Sequence, residues 1–199
     1  APCGSRAARR TSPHTGRLRS KDVAVAQNPR ATAPAASAVQ ITIPNRYEGS
    51  EVVYRDGYYW YFGSATNCCN GPLTGYSVFA GRSTSPTGPF VDREGDSLLA
   101  SRVGGTPVIS MNGNRWVGTG HNSTFRDFDG QWWTIYHAVN QRDPYFATEP
   151  GFTKRPALLD PVTFVDPARP DALASAVTSR TAAIIAVRAN EQTVAIAFP

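Results

Sequence analysis

The chain has 199 residues, 41% of them hydrophobic and 18% charged, with 20 Lys plus Arg against 15 Asp plus Glu for a net charge of +5. Those figures fit a soluble globular body of one domain or two small ones, large enough to hold a core without a disulfide framework. No run approaches the ~20 apolar residues that span a bilayer, and neither collagen-like nor coiled-coil periodicity occurs, which excludes transmembrane and fibrous classes and a membrane partner.

The distribution of charge matters more than its sum. Residues 1 to 31 hold Arg6, Arg9, Arg10, Arg17, Arg19, Lys21 and Arg30 against Asp22 alone, giving +6. The other 168 residues hold thirteen bases and fourteen acids, giving −1. Basic chains raise nucleic acid as a partner, but here the basicity belongs to a tail and the body is near neutral, so nucleic acid ranks last. Three cysteines, Cys3, Cys68 and Cys69, make no zinc pattern. The adjacent pair reads equally as a vicinal disulfide or as two half-buried thiols. The first residues carry Arg and Pro where a secretory leader would carry an apolar run, so the chain is expected either to begin after a cleaved leader or to lack its true start.

Residues 1–37 are rich in Ala, Arg, Ser, Thr and Pro and hold no aromatic residue; they read as a disordered basic tail, because they bury too little apolar area to offset their ordering entropy. From Val39 the texture changes. AVQITIPNRY alternates like a strand, and Asp56-Gly57 predicts a tight hairpin between EVVY and YYWYF. Tyr76–Arg82 is a further strand and Ser85–Pro89 a loop. Thr106–Met111 and Arg115–Gly118 flank Asn112-Gly113-Asn114, read as a second hairpin. Phe128–Gln131 joins the stretch from Thr124 to WWTIYHAV as a third, and Pro156–Leu159 is the last convincing strand before VTFV. No stretch of this body carries the 3.6-residue period of a helix. Short strands in hairpins, with aromatic strands every 40 to 50 residues, favour an all-β propeller over a sandwich or barrel. Residues 167–199 give no firm assignment.

Glu48, in RYEGSEVVY, has aromatic neighbours that would partly desolvate it and raise its pKa, the environment of a general acid; Glu51 fills the same role equally well, and an ordinary surface glutamate is the plain alternative. His121 stands in the Gly-rich loop GTGHNS after the strand RWVG, free to act as metal ligand, donor or base, or simply to hydrogen-bond in a turn. His137, inside WWTIYHAV, reads as a satisfied core or near-core histidine. Lys154 and Arg155 precede a strand, where an Arg fork binds a ligand hydroxyl or carboxylate, and where solvated basic residues would look the same. Trp60, Trp116, Trp132 and Trp133 offer stacking faces but read first as core. Neither a GxSxG elbow nor a phosphate-cradling Gly loop with Lys occurs.

The segments RYEGSEVVYRDGYYWYFGSATNCC, GTGHNS, DGQWWTIYH and GFTKRPALLDPVTF, in that order, resemble glycoside hydrolase family 43, five-bladed propeller enzymes that include arabinanases, arabinofuranosidases and xylosidases. The resemblance runs over residues 39–166. It implies an inverting glycosidase on arabinose- or xylose-containing plant cell-wall polysaccharide, outside the cell. Glu48 is then the general acid, Arg155 contacts the sugar beside the cleaved bond, and His121 lies on the propeller axis near a cation, often calcium, or its water shell. The family's base is an aspartate on the first blade, and a further aspartate tunes the acid; before Glu48 this chain has only Asp22, to which neither role transfers. Five blades of ~45 residues need ~225, whereas residues 38–166 are 129. The expectation is therefore a partial propeller of two to three blades, with a segment of uncertain structure after it. Little or no turnover is expected, with a non-catalytic carbohydrate-binding fragment as the alternative.

Overall fold

The computed structural model describes residues 38–100, 104–111, 115–149, 151–165, 171 and 183–186. The expected tail, 1–37, and most of 167–199 lie outside these residues. Among the described residues eight strands form two four-stranded sheets. The first, in the order β1-β2-β3-β4, comprises β1 (Tyr47–Arg55), β2 (Tyr58–Ala65), β3 (Ser77–Ser83) and β4 (Thr106–Ile109). The second, β5-β6-β7-β8, comprises β5 (Trp116–Arg126), β6 (Trp132–Asn140), β7 (Ala157–Val165) and β8 (Ala183–Ala186). Each sheet is a blade built from consecutive strands, and all pairings are antiparallel except β7 with β8, which is parallel. Among the described residues no helix is long and apolar enough to cross a membrane.

The turn chemistry of two hairpins acts as read. Asp56 and Gly57 both take positive φ, 51° and 83°, the pair of left-handed residues that matches the twist of adjoining strands, and Tyr58 pairs with Arg55. The turn before Gln131 joins β5 to β6, with Arg126 opposite Trp132. Three expectations are corrected. AVQITIPNRY is not a strand: Pro44 has no N–H to give, Asn45 turns at φ 62°, and the segment makes a single backbone bond to Leu98, from Ile43 N–H at 3.0 Å, while Ile41 is buried. The strands on either side of Asn112–Asn114 do not pair with each other, since β4 pairs with β3 and β5 with β6. The three residues themselves lie outside the described set, and an Asn-Gly signal reports turn chemistry without saying which strands meet. GTGHNS is no loop; it is the middle of β5.

Two apolar clusters hold the unit. Trp60, Phe62, Val78, Ala80 and Val108 of the first sheet meet Val162 of the second, with Trp132 and Phe164 packed alongside, so the core lies between the blades. Phe164 sits edge-on to both Trp60, at 5.3 Å, and Trp132, at 5.6 Å. The first sheet's other face, through Tyr47 and Tyr61, is covered by Ile41, Phe90 and Leu98. β1 and β5 face each other where the blades meet.

Candidate active site

Both strands that meet between the blades are irregular at the point of contact. The pairing of β1 with β2 slips between Glu48 and Glu51, and that of β5 with β6 slips on each side of Gly120. Such bulges bend a strand and re-aim its side chains. At this place His121 takes φ 53°, donates its backbone N–H to Ser64 Oγ at 2.7 Å, and lays its ring against the backbone of Gly49, next to Glu48.

Glu48 is exposed, not desolvated as its aromatic neighbours suggested, because Tyr47 turns the other way into the cluster with Tyr61 and Phe90. What holds Glu48 is Tyr76, whose hydroxyl donates to its Oε1 at 2.6 Å. Tyr76 is fully buried, and its ring stacks on His137 at 5.5 Å with 7° between planes. Burial pushes the phenol well above its ordinary pKa, and the Glu48 carboxylate adds to that rise, so the hydroxyl stays a proton donor in the hydrogen bond. The ring is also pressed against Gly120, where a Cβ would come within 2.2 Å of Cε1. Glycine at 120 is therefore required by the tyrosine rather than by His121, whose freedom the Gly-rich sequence suggested.

His137, a near-core residue, also belongs to this site. It is half-buried, its ring lies 6.5 Å from that of His121, and its Nδ1 is buried with no partner among the described residues. Burial lowers its pKa, and the nearby charges of Arg155 and His121 lower it further. Arg155 is exposed, yet its charge reaches both Tyr76 and His137. Its loop is set by Lys154, which pairs with Asp143 at 2.7 Å and donates its backbone N–H to Pro144 at the same distance. The three residues singled out in the sequence, Glu48, His121 and Arg155, thus come together around two that were not, Tyr76 and His137.

Glu51, the alternative acid, is occupied elsewhere. Its carboxylate accepts the backbone N–H of Thr124 at 2.7 and 2.8 Å and the hydroxyl of Ser123 at 3.1 Å. Burial raises its pKa against the lowering effect of those bonds. It straps β1 to β5. Cys68 and Cys69 are joined by a disulfide in the loop between β2 and β3. That loop approaches the Arg155 side of the site through Gly71, which lies against the Tyr145 hydroxyl. Calcium takes six to eight oxygen donors. Around His121 the described residues gather imidazole, phenol and one carboxylate, and nowhere among them do three or more His, Cys, Asp or Glu side chains form a metal-holding group. The residues described do not by themselves fit a calcium site.

Two propeller blades thus bring an acid, two imidazoles, a phenol and a guanidinium together where they meet. The sequence model of the glycosyl hydrolases family 43 matches residues 12–167, and the chain belongs to that family. The extracellular exo-alpha-(1->5)-L-arabinofuranosidase ArbA of Cellvibrio japonicus is 35% identical over 98 residues, 49% of this chain and 27% of that protein. Among solved structures, the endo-arabinanase of Bacillus licheniformis has a TM-score of 0.51 at 32% identity, covering 65% of this chain and 41% of the other. The Cellvibrio cellulosa alpha-L-arabinanase complexed with arabinohexaose has a TM-score of 0.50 at 28% identity, covering 67% and 36%. The chain thus spans about a quarter to two fifths of these relatives. The partial propeller expected from the motifs agrees with the two blades seen and with these neighbours.

Proposed function

We propose that the chain carries the acid half of a glycosidase site for arabinan, with Glu48 as the general acid of an inverting hydrolysis. In that reaction the Glu48 carboxyl gives its proton to the glycosidic oxygen as the C–O bond breaks. Water adds to the anomeric carbon from the opposite face, and its proton goes to a second carboxylate about 6.5–9.5 Å from the first. The observation that carries the reading is the Tyr76–Glu48 hydrogen bond of 2.6 Å. A buried donor whose ring is packed against Gly120 and His137 fixes one oxygen of an exposed carboxyl and leaves the other to face a sugar. Arg155 binds the sugar beside the cleaved bond, its planar fork matching a pair of hydroxyls.

The second carboxylate is not supplied by Glu51, which is bound to β5, and Asp22 lies outside the described residues. Loss of one of two cooperating carboxylates costs orders of magnitude in rate, so this chain alone binds arabino-oligosaccharide and turns it over little. A calcium ion beside His121 would be held through water, with oxygen donors from beyond the described residues. Secretion is part of the reading, since a Cys68–Cys69 disulfide suits an oxidising compartment and the Cellvibrio japonicus relative is named extracellular. The test is titration of the chain with arabinohexaose together with an aryl arabinofuranoside hydrolysis assay. Binding abolished by Arg155→Ala and retained by Glu48→Gln, with negligible hydrolysis, is expected. Brisk hydrolysis lost in Glu48→Gln would overturn the reading of low turnover, and absence of any arabinan binding would overturn the substrate.

A further inference from the structure

We propose that the loop from β2 to β3, closed by the Cys68–Cys69 disulfide, positions the acid: Thr74 of this loop holds Tyr76 on Glu48, and reduction of the disulfide releases that hold and weakens the grip on sugar. The proposal deepens the reading of Glu48 and Arg155 as a sugar site and rests on it.

An unbroken series of hydrogen bonds runs from the disulfide to the acid. Asn67, next to Cys68, accepts twice: its Oδ1 takes the backbone N–H of Cys69 at 2.9 Å, and its carbonyl takes the Thr74 hydroxyl. Thr74 Oγ1 in turn accepts the backbone N–H of Tyr76 at 3.1 Å, and the Tyr76 hydroxyl donates to Glu48 at 2.6 Å. Thr74 and Tyr76 are each 1% exposed. The first fills the space over Gly118 and the second the space over Gly120, so both are seated on β5. A buried hydroxyl that gives one hydrogen bond and receives another fixes the loop against the strand, because either group left unpartnered there is costly.

The start of the loop is held against its own preference. Thr66 takes φ 78°, which is unfavourable for a β-branched residue and persists only where the surroundings enforce it. The disulfide is part of that enforcement, since it shuts Cys68 and Cys69 into a ring that includes the peptide bond between them. Cys68 is half-buried, but Cys69 is exposed and open to a dithiol reductant. One thiolate of the reductant attacks Cys69 Sγ, the Sγ–Sγ bond breaks, and Cys68 leaves as a thiolate that takes up a proton. The reductant's second thiol then displaces Cys69 Sγ, which is protonated in turn, so two electrons and two protons pass to the cysteines and the reductant ends as its own disulfide. With the ring open, Thr66 relaxes, Asn67 moves off the Thr74 hydroxyl, and Tyr76 loses its anchor.

Two readouts test this on the full chain: calorimetric titration with arabinohexaose, and NMR titration of the His137 ring. The second needs no sugar, because the Tyr76 ring covers His137 and burial is the first cause of its lowered pKa. Both are made on the oxidised chain, on the same chain in dithiothreitol, on Cys68→Ser with Cys69→Ser, on Thr74→Val and on Thr74→Ser, with far-UV circular dichroism to verify folding. Reduction, the double serine variant and Thr74→Val are each expected to weaken binding roughly tenfold, as loss of one hydrogen bond to a charged group does, and to raise the His137 pKa toward 6.5. Thr74→Ser keeps the hydroxyl and does neither. Dithiothreitol should change nothing further in Thr74→Val or in the double serine variant. Equal affinity and equal His137 titration before and after reduction would overturn the proposal. So would a dithiothreitol effect that persists in Thr74→Val, which would mean another route, or in the double serine variant, which would mean Cys3. If the oxidised chain binds no arabinohexaose, the sugar reading fails by itself, and the His137 titration still decides whether the loop positions Tyr76.

Discussion

At the scale of single residues, the chemistry of this site depends on groups that titrate away from their ordinary range for reasons of position. His137 is held neutral because half-burial, and then the Arg155 and His121 charges, disfavour its imidazolium. A base whose folded pKa lies below its unfolded value contributes stability above the unfolded pKa, here 6.5, and that contribution is lost as pH falls through the folded value. Thermal melting of the wild type is therefore expected to weaken as pH drops below 6.5. The variant His137→Phe, which keeps a ring to stack on Tyr76 but cannot protonate, should show a flatter curve over the same range. Two parallel curves would mean that other groups cause the loss.

At the scale of elements, β5 joins the site to the fold. It runs eleven residues, and its two slips of register against β6 place His121 beside β1 and Gly120 behind Tyr76. An added methyl at Gly120 would collide with the ring that holds Glu48, and overpacking a tight contact costs about 1–3 kcal/mol. Gly120→Ala is expected to lower stability by about that much in urea unfolding, and to weaken arabinohexaose binding at the Glu48 end by displacing Tyr76. A variant as stable as the wild type would show that the strand has room to shift. The element scale is also where sequence reading was most uneven. Asp56-Gly57 set its hairpin unaided because both residues take the required φ. GTGHNS looked like a loop because its glycines lower strand propensity, whereas tertiary contacts with Thr74 and Tyr76 are what those glycines serve.

For the molecule as a whole, stability rests on the contact between blades. Trp60 is buried between the two sheets, with Phe164 of the second sheet edge-on to it. Truncating a buried tryptophan costs about 3–5 kcal/mol, a large share of a domain's marginal stability. Trp60→Ala is expected to lose that much, while wild-type unfolding followed by tryptophan fluorescence and by circular dichroism falls on one curve, since the second sheet joins an apolar cluster only through the one it shares with the first. Two distinct transitions would show that the blades are held independently.

The sequence alone determined the class. Dense short aromatic strands, turn residues between them and four segments in family order led to a partial propeller with Glu48, His121 and Arg155 as site residues, because strand period, turn chemistry and motif order are local properties written along the chain. The tertiary structure decided the rest. Tyr76 lies 28 positions from Glu48 in an ordinary strand pattern, and His137 had the surroundings of a core residue. Nothing local marks either one, since their roles arise only when β1, β3, β5 and β6 converge. Glu48 and Glu51 looked interchangeable in RYEGSE. The slip of register between them separates their roles, leaving one carboxyl exposed to solvent and tying the other into the opposite blade, because which face a strand residue takes depends on its partner and not on its neighbours.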